Sequence, residues 1–247
     1  MSRTINGPRA VLAVALMGAA ASFAHADLNG HPLAITATTS SGLTATWNLT
    51  AGMGQFNGPD WYFNSSTGWS YNFVSQGQVL GTISDLRVSI IADPQVNVSF
   101  TATAGLVDTS FTFSSTLLSF PAFAGGTAQA SAGITVADLN GNGVSLTGNN
   151  PGGFAYRADF NGLVPGGTNY ASFFPSVTGD PSSGNSVSAN LGPTFIPASV
   201  GDMSARFAFT LSAGDLASGT SNFEIVPAPA GALALGLGLL GVARRRR

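Results

Sequence analysis

Hydrophobic side chains alternate with polar or small ones over most of this chain, and a period of two is incompatible with a helical fold. Leu33, Ile35 and Ala37 show it first, then Leu43, Ala45, Trp47 and Leu49. The spacing returns at Leu86, Val88 and Ile90, at Val96, Val98 and Phe100, and at Phe111 and Phe113. It continues from Ala128 to Val136, through Phe154, Tyr156 and Ala158, and at Phe207, Phe209 and Leu211. Successive side chains of a strand point to opposite faces, so each run covers a core with one face and meets water with the other. Turn formers punctuate the runs: Asp93-Pro94, Gly125-Gly126, Asn140-Gly141-Asn142-Gly143, residues 149–153 and Pro165-Gly166-Gly167. Many short strands with regular breaks predict an all-β fold, an antiparallel β-sandwich of jelly-roll type. No internal repeat stands out, and Pro181–Ser186 reads as a long surface loop.

Both ends depart from this pattern. Arg3 and Arg9 flank the start of an apolar run from Ala10 to Ala21, and Ala24-His25-Ala26 supplies small residues at −3 and −1 of a cleavage site. Residues 1–26 are therefore expected to form a signal helix removed by signal peptidase, leaving a β domain over 27–225. At the other end Val226-Pro227-Ala228-Pro229-Ala230 leads into 13 apolar residues, 231–243, and Arg244-Arg245-Arg246-Arg247 closes the chain. As a short hydrophobic helix those residues would cover about 20 Å, less than the roughly 30 Å of a hydrocarbon core. The arginines would hold its end at the cytoplasmic face. Pro227 and Pro229 keep the approach extended and accessible. Such a segment suits transient membrane contact better than permanent anchoring.

Motif, short span and terminal arginines, in that order, resemble the PEP-CTERM sorting tail of Gram-negative bacteria. Val226, Pro227, Pro229 and Ala230, the apolar run and the arginine cluster match it, while Ala228 stands where the tail usually carries Glu. The resemblance spans residues 226–247. It implies processing by an exosortase, a membrane-embedded cysteine transpeptidase, and delivery across the inner membrane to the cell surface or an exopolysaccharide matrix. The body, from Val107–Phe111 through Gly143–Gly148, is also similar to uncharacterised secreted PEP-CTERM proteins, which lend it no activity.

Charge narrows the choice of partner for the domain in between. Eleven acids face three arginines there, Arg87, Arg157 and Arg206, for a net charge of −8, and the chain has no lysine. Nucleic acid is a poor match, because neutralising phosphates takes clustered Lys or Arg. A neutral, hydrated polysaccharide suits the Ser-, Thr-, Asn- and Gly-rich exterior. Cysteine is absent, which removes thiolate catalysis and thiolate metal sites. His31 is the one histidine after residue 26, so a Ser-His-Asp triad has no well-held base. The leading expectation is an exported, non-enzymatic surface or matrix protein that requires no cofactor.

Three local features carry alternatives. Trp61-Tyr62-Phe63 and Trp69-Ser70-Tyr71-Asn72-Phe73 concentrate aromatics that could stack on sugar rings, with Trp61, Trp69 and Tyr71 as the glycan contacts and Asp60, Asn64 and Asn72 as hydrogen-bonding partners. Core packing is the competing explanation, and exposure of Trp69 and Tyr71 separates the two. Asp138-Leu139-Asn140-Gly141-Asn142-Gly143 follows the start of a calcium loop, with Asp138, Asn140 and Asn142 as ligands. Asn149 at the twelfth position excludes an EF-hand, so a cation would need a further carboxylate such as Asp159 or Asp108. A tight Asn-Gly hairpin turn explains the same residues without metal. Finally, paired carboxylates among Asp85, Asp93 and Asp159 would serve a secreted glycoside hydrolase if they faced each other across a cleft.

Overall fold

The computed structural model describes residues 31–227; the signal segment, Ala228–Ala230, the apolar run and Arg244–Arg247 lie outside the described residues. Among the described residues the chain is strand throughout, except for turns and one 3-10 turn at Ala51–Met53. The first strands are β1 (Leu33–Thr39), β2 (Thr44–Leu49), β3 (Gln55–Asn57), β4 (Asp60–Asn64), β5 (Tyr71–Ser75), β6 (Gln78–Ile91), β7 (Gln95–Ala104) and β8 (Thr109–Ser115). There follow β9 (Leu118–Ala137), β10 (Val144–Gly148), β11 (Tyr156–Phe160), β12 (Thr168–Phe173), β13 (Ser176–Gly179), β14 (Gly184–Leu211) and β15 (Leu216–Pro227).

All pairings are antiparallel, and β14 joins two layers. Its first part pairs with β9, which continues through β15 and β7 to β6; β6 then carries β4 toward one end and β5 toward the other. This is the front sheet. The last part of β14 pairs with β8 on one side and with β11 and β10 on the other, β8 continuing to β1 and β2. That is the back sheet, edged by β12 and β13.

The strand that bridges the layers bends where the sequence removes ladder hydrogen bonds. Register shifts in the β14–β9 pairing fall at Leu191/Thr194, Ile196/Ser199 and Val200/Asp202. Pro193 and Pro197 occupy the first two gaps and Pro121 lies opposite the third; proline has no N–H to donate, so strand interiors accept it only at such irregularities. Gly125, at φ +75°, is the unpaired residue facing the second gap. Gly125-Gly126 is thus a bulge inside β9 and not the chain-reversing turn its composition suggests. Pro181–Ser186 is also shorter as a loop than expected, because β14 begins at Gly184.

The expected alternation is what fills the space between the layers. β1, β7 and β8 alternate buried and half-buried positions along their whole length, and Ala128, Ala130, Ala132, Ile134 and Val136 all face inward. Phe100 of β7 stacks on Phe113 of β8 with ring centroids 3.9 Å apart, and Phe207 and Phe209 of β14 close around it at 5.1 and 5.8 Å. Each such ring contributes about 1.5–3 kcal/mol by leaving water. Gly219 of β15 lies under Phe100, where a Cβ would come within 2.5 Å of the ring. With no cysteine to cross-link the layers, this packing holds them together.

Candidate functional site

Strand register places a broad polar surface on the outer face of the front sheet. Residues directly opposite each other in an antiparallel ladder share a face. Following the pairings across six strands gives one row of Tyr62, Ser89, Asn97, Asn222, Ser131 and Asn190. The adjacent row is Asn64, Arg87, Ser99, Thr220, Gly133 and Ser188. Beyond it lie Asp85, Thr101, Ser218, Thr135 and Ser186, and on the other flank Gln95, Glu224 and Gln129. Five strand spacings of about 4.8 Å make the rows roughly 24 Å long.

Side-chain hydrogen bonds tie neighbouring members together. The Asn97 amide donates to Ser89 Oγ at 2.8 Å and Gln95 donates to Asn97 Oδ1 at 3.3 Å. Gln129 donates to Glu224 Oε2 at 2.6 Å, and Thr135 and Ser186 hydroxyls meet at 2.9 Å. Arg87 pairs with Asp85 at 3.7 Å, both well exposed. Such an exposed pair is worth little energy, but it sets opposite charges side by side in neighbouring rows. At the β4 end Tyr62 is 37% exposed and its hydroxyl donates to Asp60 Oδ2 at 3.3 Å. Partial desolvation, and then the Asp60 carboxylate, raise the Tyr62 phenol above its ordinary range.

The surface is indented. A depression of about 280 Å³ lies among Tyr62, Asn64, Arg87, Asn97 and Thr220. A second, of about 400 Å³, has Gly133 on its floor between Ser188, Thr220 and Asn222. A third, of about 420 Å³, is bounded by Gln129, Ser131, Asn190 and Asn222. Thr220 is common to the first two and Asn222 to the last two, so the indentations adjoin across the sheet. Phe63, Val88 and Val98 also line the first, whose wall is largely apolar; the amides and hydroxyls around all three both donate and accept hydrogen bonds.

The aromatic candidates lie on the opposite side of the same sheet. Trp61 is 0% exposed and its indole N–H donates to the Ala51 carbonyl at 2.9 Å, so it does not contact a glycan. Alternation explains the correction: Trp61 and Phe63 point inward while Tyr62 and Asn64 point out. Trp69 and Tyr71 are half-buried and close the open edge between β2 and β5. Trp47 packs on Trp69 and on Tyr71 at 5.8 and 5.2 Å, and Tyr71 leads through Phe73 to Phe111 in the core. None of the three depressions is lined by Trp69 or Tyr71.

Asp138 is buried beside its loop and organises it. Its Oδ1 accepts from the backbone N–H groups of Asn140 (3.1 Å) and Gly141 (2.8 Å), and its Oδ2 from those of Gly143 (2.9 Å) and Ser182 (2.6 Å). Those four bonds, led by the one from Ser182, hold the carboxyl far below the usual carboxylate range despite the opposing effect of desolvation. A carboxylate offers about four lone-pair sites, and all are taken by donors that would repel a cation. The Asn140 amide donates to the Ala213 carbonyl at 2.7 Å, and its Oδ1 accepts from Asn142 N–H at 3.2 Å. Asp138, Asn140 and Asn142 therefore build a turn, not the converging oxygen set read from the motif. Among the described residues no group of three His, Cys, Asp or Glu side chains forms that could hold a metal ion.

The carboxylates nominated for hydrolysis are not brought together. Asp159 is 0% exposed and clamped by Arg157, Nε to Oδ1 at 2.6 Å and Nη2 to Oδ2 at 2.9 Å, in the back sheet. Asp85 lies on the outer face of the front sheet, and Asp93 is in the turn after β6. Of the sorting motif, Val226 and Pro227 are the last residues of β15, opposite Thr127 and Gly126 of β9. Ala228, Pro229 and Ala230 follow outside the described residues. Among those described, no helix is long and apolar enough to cross a membrane.

The polar rows were missed because period-two alternation shows that a strand has a wet face, not which strands share it. A signal was present: outward positions such as Gln95, Asn97 and Ser99, or Thr220 and Asn222, carry amides and hydroxyls where a merely solvated face commonly carries Lys and Glu.

No protein-family model matches the chain, and no curated protein matches it. Among solved structures it is similar to TmCBM61 in complex with beta-1,4-galactotriose, at 15% identity over 54% of this chain and 71% of that one, with a TM-score of 0.29. A family 6 carbohydrate-binding module is similar at 17% identity over 58% and 82%, with a TM-score of 0.19. The structure of infectious bursal disease virus Gx strain is similar at 14% identity over 80% and 56%, with a TM-score of 0.24. Similarity at these TM-scores assigns the chain to no family.

Proposed function

We propose that this is an exported protein whose β-sandwich binds a neutral polysaccharide across the outer face of its front sheet. The observation that carries the proposal is the six-strand row Tyr62, Ser89, Asn97, Asn222, Ser131 and Asn190 beside adjoining indentations. Sugar hydroxyls are donors and acceptors at once, and so are the amides and hydroxyls of the row. The strand spacing of about 4.8 Å is close to the length of a pyranose ring, so a chain lying across the strands meets matching groups repeatedly. Tyr62 at one end offers a ring face for stacking. A domain charge of −8 with no lysine favours a neutral polymer over a polyanion along this face.

Delivery is part of the same proposal and rests on sequence. The tail at 226–247, with its exosortase-type motif, would bring the domain to the cell surface or matrix, where polysaccharide is abundant. Mass analysis of the released protein tests this: a chain ending near residues 226–230 supports processing, and recovery of Arg244–Arg247 on the released form refutes it.

Binding is tested with the purified chain and a panel of soluble neutral glucan, mannan and galactan. Asn97→Ala and Asn222→Ala each remove hydrogen bonds worth about 1 kcal/mol, which lowers affinity about fivefold. Trp69→Phe, at the sandwich edge, leaves affinity unchanged. The reverse pattern would return the site to the aromatic cluster, and no binding to any of the three polymers would end the proposal.

A further inference from the structure

The back sheet holds a separate feature that neutral-glycan binding does not use. Arg157 of β11 and Arg206 of β14 are direct cross-strand partners, and Ser114 of β8 is opposite Arg206 on its other side. Like charges in that relation repel, and two of the domain's three arginines occupy it. Asp159 spends both oxygens on Arg157. Among the described residues no carboxylate pairs with Arg206. Asp202 lies four residues along β14 and is engaged by the Gly162 N–H at 2.6 Å. The cluster of Arg157, Arg206 and Asp159 therefore carries one uncompensated positive charge. Burial first, and Arg157 second, hold the Arg206 guanidinium below its ordinary value, with Asp159 offsetting part of this.

Arg206 is half-buried and has hydrogen-bonding capacity to spare. Its Nε donates to Asn150 Oδ1 at 2.7 Å and one Nη donates to the Val164 carbonyl at 3.5 Å. A guanidinium has five N–H donors. Arg206 lines a depression of about 420 Å³ together with His31, Ser114, Thr116, Leu163 and Ser204. Ser204 is occupied, donating to the Gly162 carbonyl and accepting from Val164 N–H, both at 3.0 Å. The hydroxyls of Ser114 and Thr116 have no partner among the described residues and remain for a ligand.

We infer that this depression is a carboxylate-binding subsite, in which the Arg206 guanidinium, flanked by Ser114 and Thr116 and rimmed by His31, takes one monoanionic group. A planar carboxylate matches the guanidinium fork, and one negative charge balances the local excess of one. The domain's other carboxylates act through solvent with a screening length of about 8 Å at physiological salt, so their repulsion is weak at this position. Two sources present the group: a free small carboxylate, or a uronic acid in a polysaccharide.

Titration of the purified chain with acetate, galacturonate and galactose, read by NMR shifts and thermal melts, tests the assignment. Acetate and galacturonate are expected to bind and galactose not to, with a stronger response to galacturonate marking a sugar-acid ligand and equal responses marking a small carboxylate. Arg206→Gln keeps a donor for Asn150 but removes the charge, and is expected to weaken binding at least tenfold. His31→Glu changes only an exposed rim residue, so the fold is unaffected, and is expected to weaken binding several-fold. Absence of binding by both acids, or binding unchanged in His31→Glu and Arg206→Gln alike, overturns the subsite. Neutral polysaccharide binding to the front sheet is unaffected in either variant, so the two sites fail independently.

Discussion

Gly133 lies on the floor of the central indentation, and substituting it separates binding from folding because the two respond with opposite sign. A Cβ added there would meet Thr220 Oγ1 at 3.5 Å and the Val187 carbonyl at 3.6 Å, both ordinary contact distances. Glycine in a strand interior costs about 0.5–1 kcal/mol relative to alanine through the entropy of the unfolded chain. Gly133→Ala should therefore stabilise the domain by about that amount. At 2–4 °C per kcal/mol for a domain of this size, the melting temperature rises by roughly 1–4 °C. Gly133→Val goes further, raising a branched side chain between Thr220 and Ser188 and partly filling the indentation of about 400 Å³. Occluding two hydrogen bonds of about 1 kcal/mol each lowers polysaccharide affinity about 30-fold. Melting followed by circular dichroism and affinity by calorimetry, on the same samples, read the two effects. A melting temperature that falls in Gly133→Ala would refute the packing argument. Full affinity in Gly133→Val would refute the location of the site.

Asp159→Asn leaves Arg157 buried without its counter-ion and should cost about 3–5 kcal/mol in denaturant unfolding; a loss below 1 kcal/mol would show the pair to be more solvated than its 0% and 9% exposures imply. Replacing both partners, as Arg157→Met with Asp159→Leu, should come close to neutral. Asp138 has a depressed carboxyl, so the stability it contributes is complete above the unfolded value of about 4 and is lost as pH falls below it. Asp138→Asn should lower stability at neutral pH and flatten the acid limb between pH 5 and 2, while chelator leaves the melting temperature of the native chain unchanged; a chelator-dependent shift would restore calcium to this loop. Tyr156 is fully buried, its phenol raised by burial, and its hydroxyl and that of Ser221 lack partners of good geometry. Tyr156→Phe is therefore expected to leave stability unchanged or raise it by about 1 kcal/mol, and a clear loss in urea unfolding would mean the hydroxyl is bonded.

The all-β class and the inward residues of each strand could be read from sequence because each depends on neighbours within a few positions. Alternation put Ile35, Val98, Phe113 and Phe209 in the core without reference to anything distant. The polar face of the front sheet could not be read that way. Asn97 and Asn222, or Ser131 and Asn190, are far apart in the chain and adjacent only through the pairing of β7 with β15 and β9 with β14. Asp138 shows the same limit at short range, since its motif fits a cation until Ser182 N–H, 44 positions away, takes one of its oxygens. Composition set the kind of surface, sparse in charge and rich in hydroxyls and amides. Register decided where those groups meet, because a strand specifies which side faces water but leaves the choice of neighbour to the packing of the whole sandwich.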